Sequence, residues 1–254
     1  MEVPRLSSLP PLLSLPMRPT LVFADIHVPY HHSTLLQEAL DRWPCQQIVV
    51  AGDFFTFDRL SAYPYDHETH SLEHELHAAK TVLQLLASYA PVYLTSGNHD
   101  RRFVHRLGQP MTFRRLIHAA LEGEACRVDV TERDYLYIGT SVCVGHLRSY
   151  SRIPGKLATK SATYHQRHVL VGHDHLLGGM LDTTKRWFGA SIGTMARIDE
   201  LWYAERALRT LPPMQNGYAY IVDEHHLYVC DHTHTPITGI RPQWGSLYVV
   251  QRVD

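Results

Sequence analysis

Five short polar runs carry the residue types that could do chemistry: Asp25-Ile26-His27, Gly52-Asp53, Gly97-Asn98-His99-Asp100, Gly145-His146 and Gly172-His173-Asp174-His175. If their segments lie side by side, two aspartates, one asparagine and four or five histidines converge. Carboxylate and imidazole together suit Mn, Fe, Zn or Ni better than Mg or Ca, which prefer shells made only of oxygen. The donors outnumber the four that a tetrahedral ion needs, which argues for two ions. In Asp-x-His the spacing of two points both side chains to the same side of an extended chain. A glycine precedes the functional residue in four of the five runs, where it permits the sharp turn that ends a strand.

The segments around these runs read as the elements that position them. Thr20 to Ala24, Ile48 to Ala51 and Pro91 to Thr95 are short apolar runs of the kind that form buried strands, and each ends at one of the polar motifs. Between them, Leu35, Leu36, Ala39, Leu40 and Trp43 recur at helical spacing behind a capping Ser33. So do Leu72, Leu76, Ala79, Leu83 and Leu86, within a helix from about Ser71 to Tyr89. Strand alternating with helix is the pattern of an α/β fold, and such folds place their sites at the C-terminal ends of strands. Further helices fit Thr112 to Leu121 and Lys156 to Gln166. The second half is rich in strand candidates: Tyr135 to Ile138, Ser141 to Val144, His168 to Val171, Leu176 to Leu181, Gly217 to Val222, Leu227 to Cys230 and Leu247 to Gln251. Trp202 to Asn216 reads as helix plus loop. The expected architecture is a four-layer α/β/β/α sandwich: two mixed β-sheets flanked by helices. Residues 1–19 are a tail or strap, and 20–254 form a single domain.

The five motifs, in this order, resemble the calcineurin-like metallophosphoesterase (metallophosphatase) superfamily. Its pattern is Asp-x-His, Gly-Asp, Gly-Asn-His-Asp/Glu, a lone His, then Gly-His-x-His. The resemblance runs from residue 25 to residue 175. It implies that Asp25, His27 and His175 hold one metal, that Asn98, His146 and His173 hold a second, and that Asp53 bridges both. It implies that His99 is not a ligand but the acid that protonates the leaving group, and that Asp100 orients His99. The implied reaction is hydrolysis of a phosphate mono- or diester by a hydroxide bridging two divalent transition metal ions. Mn is the expected metal, with Fe, Zn or Ni as alternatives. The implied partner is a phosphate-ester substrate, with nucleotides and nucleic acids among the candidates.

One departure from the pattern bears on the surroundings of the site. Many members read Gly-Asp-x-x-Asp, but here Thr56 stands at the second Asp position and Asp58 lies two residues later. Arg101, Arg102 and His31 are candidates for substrate contact, arginine because it pairs bidentately with phosphate. A later run, Asp231-His232-Thr233-His234, mimics His-x-His, but it lacks the glycine and falls outside the family order, so it reads as loop.

Composition bounds the rest. With 44% hydrophobic residues and a formal net charge of −1 over 254 residues, the chain has material for a core. It gives no global reason to bind nucleic acid or an anionic membrane. Pro10, Pro11 and Pro16 interrupt the leucine-rich start, and no run approaches the roughly 20 apolar residues of a membrane span. The four scattered cysteines form no Cys-x-x-Cys pair, which excludes a zinc ribbon or thioredoxin motif. Nothing in them demands an oxidising compartment, and with the interrupted start and no membrane span the expected location is the cytoplasm. Two alternatives of other kinds stand beside the phosphoesterase reading: a DNA nuclease of the same family, and a binding scaffold that has lost catalysis.

Overall fold

Alternation along the strands sets the layers. In the computed structural model, which describes residues 12–61, 69–107, 111–204, 213–243 and 246–249, strand β2 (Thr20–Phe23) turns Leu21 and Phe23 to one face and Val22 to the other. Strand β3 (Gln47–Ala51) does the same, with Ile48 and Val50 opposite Val49 and Ala51. One face of each meets helices, and the other meets a second sheet. Both faces are covered, so the strands are apolar after their first residues, Thr20 and Gln47, which bond to each other, as suits parallel strands buried on both sides.

The sheet containing them has eight strands among the described residues. Its parallel part is β2, β3, β4 (Val92–Thr95) and β5 (Val128–Val130). Its antiparallel part is β11 (Gly217–Ile221), β12 (Leu227–Asp231), β13 (Pro236–Gln243) and β14 (Ser246–Val249), joined through β11 to β2. The second sheet runs β1 (Ser14–Leu15), β6 (Tyr135–Ile138), β7 (Val142–His146), β8 (His168–Gly172), β10 (Phe188–Ile192) and β9 (Leu177–Leu181). Val22, Val49, Val144, Leu170, Phe188 and Ala219 meet in the core between the sheets. Helices α1 (Ser33–Arg42), α2 (Leu72–Tyr89) and α4 (Phe113–Ala120) cover the eight-stranded sheet. Helix α5 (Lys156–His165) lies on the other sheet, packing Ala158 and Ala162 on Cys143, Val169 and Val171. The four-layer sandwich of two mixed sheets is therefore observed.

Local details differ from the expectations. His32, not Ser33, caps α1, its Nδ1 accepting from the Leu35 N–H at 3.2 Å. Ser71 does cap α2. Part of the start of the chain is an edge strand, with Ser14 and Leu15 pairing parallel to Tyr137 and Ile138. Residues 205–212 of the expected helix plus loop lie outside the described residues.

A buried carboxyl on α2 supports the loop that leads to the site. Glu75 is 3% exposed, and its Oε2 accepts from the Phe57 N–H at 2.8 Å. Burial pushes its pKa up to about 8, with the Asp58 charge adding and the Phe57 bond and Arg102 opposing. The folded state thus favours the neutral acid. That stability is present in full below the ordinary carboxyl value and is lost as pH rises through about 8. Glu75→Gln keeps an acceptor for Phe57 and removes the charge. It is expected to retain at pH 9 a stability that the parent loses, on the order of 2–4 kcal/mol. Thermal melts at pH 6 and pH 9 check this, and equal losses in both proteins would count against it.

Candidate metal centre

The strand ends deliver the motifs to one place. Asp25 and His27 follow β2, Asp53 follows β3, Asn98 and His99 open helix α3 (Asn98–Leu107) after β4, His146 ends β7, and His173 and His175 follow β8. Asp25, His27, Asp53, His173 and His175 all have positive φ, a region non-glycine residues seldom enter, at a cost of order 1–3 kcal/mol each. Backbone bonds from Asp25 N to Gly52 O (3.2 Å) and from His27 N to Asp53 O (3.1 Å) hold two of these turns together.

The motif glycines serve mainly as space. A Cβ on Gly97 would fall inside the Asp53 carboxylate, and one on Gly172 would stand 2.6 Å from Asp25 Oδ2. At Gly52 it would meet His146 at 2.6 Å. Only Gly52 of these three also needs a positive φ. The turn argument therefore holds for one glycine, and close packing of the polar side chains accounts for the other two.

Three sets of donor atoms converge, and two of them share no residue. Asp25, His27 and His175 form one, and Asp53, His146 and His173 the other; within each set the donor atoms lie within 4.8 Å of one another. In the first, the Nε2 atoms of His27 and His175 stand 3.2 Å apart, and His175 Nε2 is 3.5 Å from Asp25 Oδ1. That carboxylate oxygen is fully buried and has no hydrogen-bond partner. In the second, His146 Nδ1 faces the Ala51 carbonyl at 3.1 Å, which turns Nε2 inward. Nε2 there meets Asn98 Oδ1 at 3.0 Å, His173 Nδ1 at 3.2 Å and Asp53 Oδ2 at 3.3 Å. Acceptor atoms crowded around one point, with a buried oxygen left unbonded, fit a divalent cation.

Electrostatics agree. Burial alone would lower His146, but the Asp53 and Asp25 charges outweigh it and hold it up to about 9. A field that attracts a proton to this imidazole would attract an ion in its place. Burial raises Asp53, yet the surrounding His146, His99 and His27 bring it well below the ordinary carboxylate value. His27 is lowered well below its ordinary value by burial, with the His99 and His175 charges adding.

The surroundings depart from expectation at several residues. Asp100 does not hold the His99 ring: its carboxylate accepts from Phe55 N at 2.9 Å and Gly97 N at 2.8 Å, pinning the loop after β3 to the start of α3. Its pKa rises to about 7 through burial and the neighbouring Asp53 charge. The ring of His99 is held instead by the Thr56 carbonyl, 2.9 Å from Nδ1, and by Arg102, whose Nη2 is 3.0 Å from Nε2. Burial drives His99 down to about 4, with Asp53 opposing and Arg102 adding to the fall. Arg101 is committed elsewhere, paired with Asp134 and bonded to Ser96 Oγ at 3.0 Å. His31 makes a backbone bridge with Ala196, and its Nδ1 has no hydrogen-bond partner. Two neighbours carry no sequence signal at all. Tyr203 places its hydroxyl 3.3 Å from His27 Nε2, and Met214 Sδ lies 3.3 Å from His175 Nδ1.

The later Asp-His-Thr-His run is a turn between β12 and β13. Asp231 accepts from the Thr233 and Thr235 N–H groups, and His234 bonds Tyr218 and Glu38. Replacing His232 and His234 with alanine is expected to leave bound metal unchanged, while the same change at His173 and His175 depletes it. Elemental analysis decides, and the reverse outcome would relocate the site.

Fold and site together define a class of protein, an α/β/β/α sandwich with an Asp/His cluster suited to metal at its strand ends. The chain belongs to the calcineurin-like phosphoesterase family, whose sequence model matches residues 18–248. A search of curated proteins gave no match. Among solved structures the chain is similar to Yfce, described as a phosphoesterase from E. coli. The two share 13% identity and a TM-score of 0.47, over 89% of this chain and 100% of that one. A second solved structure is similar at 9% identity and TM-score 0.45, over 92% and 99% of the two chains. Likenesses this distant add no argument, and the family rests on the sequence match. Among the described residues, no helix is long and apolar enough to cross a membrane.

Proposed function

We propose that this chain hydrolyses a phosphate mono- or diester with the help of two divalent metal ions. Asp25, His27 and His175 would hold one ion, Asn98, His146 and His173 the other, and Asp53 both. The observation that carries this reading is the pair of three-residue donor sets in one buried cluster, with Asp25 Oδ1 unpartnered between imidazoles. Bound there, the ions would neutralise the phosphoryl oxygens and acidify the attacking water, with Mn the first candidate.

The chain's own residues do the remainder. Asp53 Oδ1 accepts the His99 N–H at 2.7 Å, so the carboxylate also fixes the first turn of α3 and with it Asn98 and His99. His99 faces the cluster, its ring centroid 4.6 Å from that of His27. Its ring is neutral at neutral pH, and an arriving phosphoryl anion would raise its pKa toward the range in which it can donate a proton. The Tyr203 ring stands over His27, His99 and His175 at about 6 Å and narrows the approach. A core shared by both sheets supports reading residues 20–254 as one domain, and four free cysteines suit a cytoplasmic setting.

The decisive experiment is a panel of phosphate monoesters, diesters, cyclic nucleotides and single- or double-stranded DNA. It is run with Mn, Fe, Zn and Ni beside elemental analysis. Turnover of at least one ester with two equivalents of metal bound is expected. A protein that binds neither ion and turns over nothing would be a scaffold.

A further inference from the structure

Arg102 carries its guanidinium to the cluster on an anchored stem. Nη1 donates to the Thr56 carbonyl at 3.0 Å and lies 3.5 Å from Oδ1 of buried Asp58. Nη2 stands 3.0 Å from His99 Nε2. Because His99 Nδ1 faces the same Thr56 carbonyl, Nε2 is the lone-pair nitrogen and Arg102 is the donor. The Arg102 side chain is 20% exposed, so a solute can reach it. Nearby arginines are engaged elsewhere: Arg101 with Asp134 and Ser96, Arg148 with Asp134 as well, and Arg59 with Thr69.

We infer that Arg102 is the arginine that grips the phosphoryl group of the substrate, and that Asp58 and the Thr56 carbonyl hold it ready for that contact. The inference rests on the phosphoesterase reading. A guanidinium keeps its charge and offers parallel donors that match a tetrahedral oxyanion. A phosphoryl oxygen with negative charge is a stronger acceptor than a neutral imidazole. Nη2 therefore moves from His99 to phosphate while Nη1 stays on its anchor, and the same exchange frees the His99 Nε2 lone pair to take up a proton from solvent, which it can then give to the leaving oxygen. The departure at Thr56 and Asp58 gains a physical purpose. This chain uses the peptide carbonyl of Thr56 and the carboxylate of Asp58 to place an arginine.

The test is binding of inorganic phosphate to the Mn-loaded protein by calorimetry, with metal content measured on each variant. Arg102→Ala is expected to weaken phosphate about 10–100-fold with both metals retained, as loss of a charge-assisted contact does. Arg102→Lys should lose less, and Arg101→Ala should bind phosphate as the parent does. Asp58→Asn should weaken phosphate in the parent but not in the Arg102→Ala background, because it acts through the guanidinium. Parental affinity in Arg102→Ala, or additive losses in the pair, would overturn the inference. If Arg102→Ala fails to fold, Arg102→Lys and Asp58→Asn decide, and unchanged affinity in both overturns it. A parent protein that neither binds phosphate nor turns over any ester sinks the phosphoesterase reading itself, whereas an active parent with indifferent Arg102 variants sinks only this one.

Discussion

Asp53→Ala is expected to cut turnover by about 10²–10³-fold and to lower bound metal at both positions. Two elements of the cluster depend on this carboxylate. Its Oδ1 accepts the His99 N–H at 2.7 Å, and its Oδ2 lies 3.3 Å from His146 Nε2 and 4.0 Å from His99 Nε2. Alanine removes the charge that holds His146 near 9, leaving buried imidazoles with less to balance a cation. Asp53→Asn separates the two duties, since it keeps an acceptor for the His99 N–H and loses the charge. Elemental analysis and initial rates on the best ester give the answer. Two retained metals with undiminished turnover in Asp53→Ala would refute the bridging role.

His99→Ala is expected to retain both metals and lose about 10²–10⁴-fold on an alkyl phosphate ester. On a nitrophenyl ester, whose leaving group departs without a proton, the loss should be far smaller. There is a rival, because His27, Asp53 and His99 also bring donor atoms within 4.8 Å of one another. Both His99 nitrogens are already engaged, however, one with a carbonyl and one with a guanidinium. An ion on Nε2 would sit against the positive charge of Arg102, which Coulomb repulsion disfavours. Equal losses on both esters, together with depleted metal, would make His99 a ligand after all.

Much of the layer structure was legible because a strand's faces follow from its own residues. The unbroken apolar runs in Thr20–Phe23 and Gln47–Ala51 announce two covered faces without knowledge of what covers them. Four strands were hidden, one of them the two-residue edge strand Ser14–Leu15. Phe188–Ile192 contains Gly189, Ala190 and Ser191, and Pro236–Gln243 contains two prolines and a glycine. Neither has the composition that favours strands, and their neighbours in the sheets, not their own propensity, hold them extended. Val128–Val130 has three residues, too short for periodicity to register. Helix α3 was hidden for the opposite reason, since Asn98–Leu107 is polar along most of its length.

The same division runs through the site. The identity and order of Asp25, His27, Asp53, Asn98, His146, His173 and His175 are properties of the chain, because each stands at the end of a strand and sites form at the C-terminal ends of strands in α/β sheets. Which group holds His99 is not a chain property. Asp100 is adjacent in sequence but turns to Phe55 and Gly97, while Thr56, 43 residues away, supplies the carbonyl. Tyr203 and Met214 reach the cluster from a stretch without any motif. The chain alone establishes which donors this protein has and that each stands at the end of a strand, because a buried apolar run and the polar motif that closes it are local features. The tertiary structure alone decided their partners, because hydrogen bonds and charge pairs form across space between segments whose separation along the chain carries no signal.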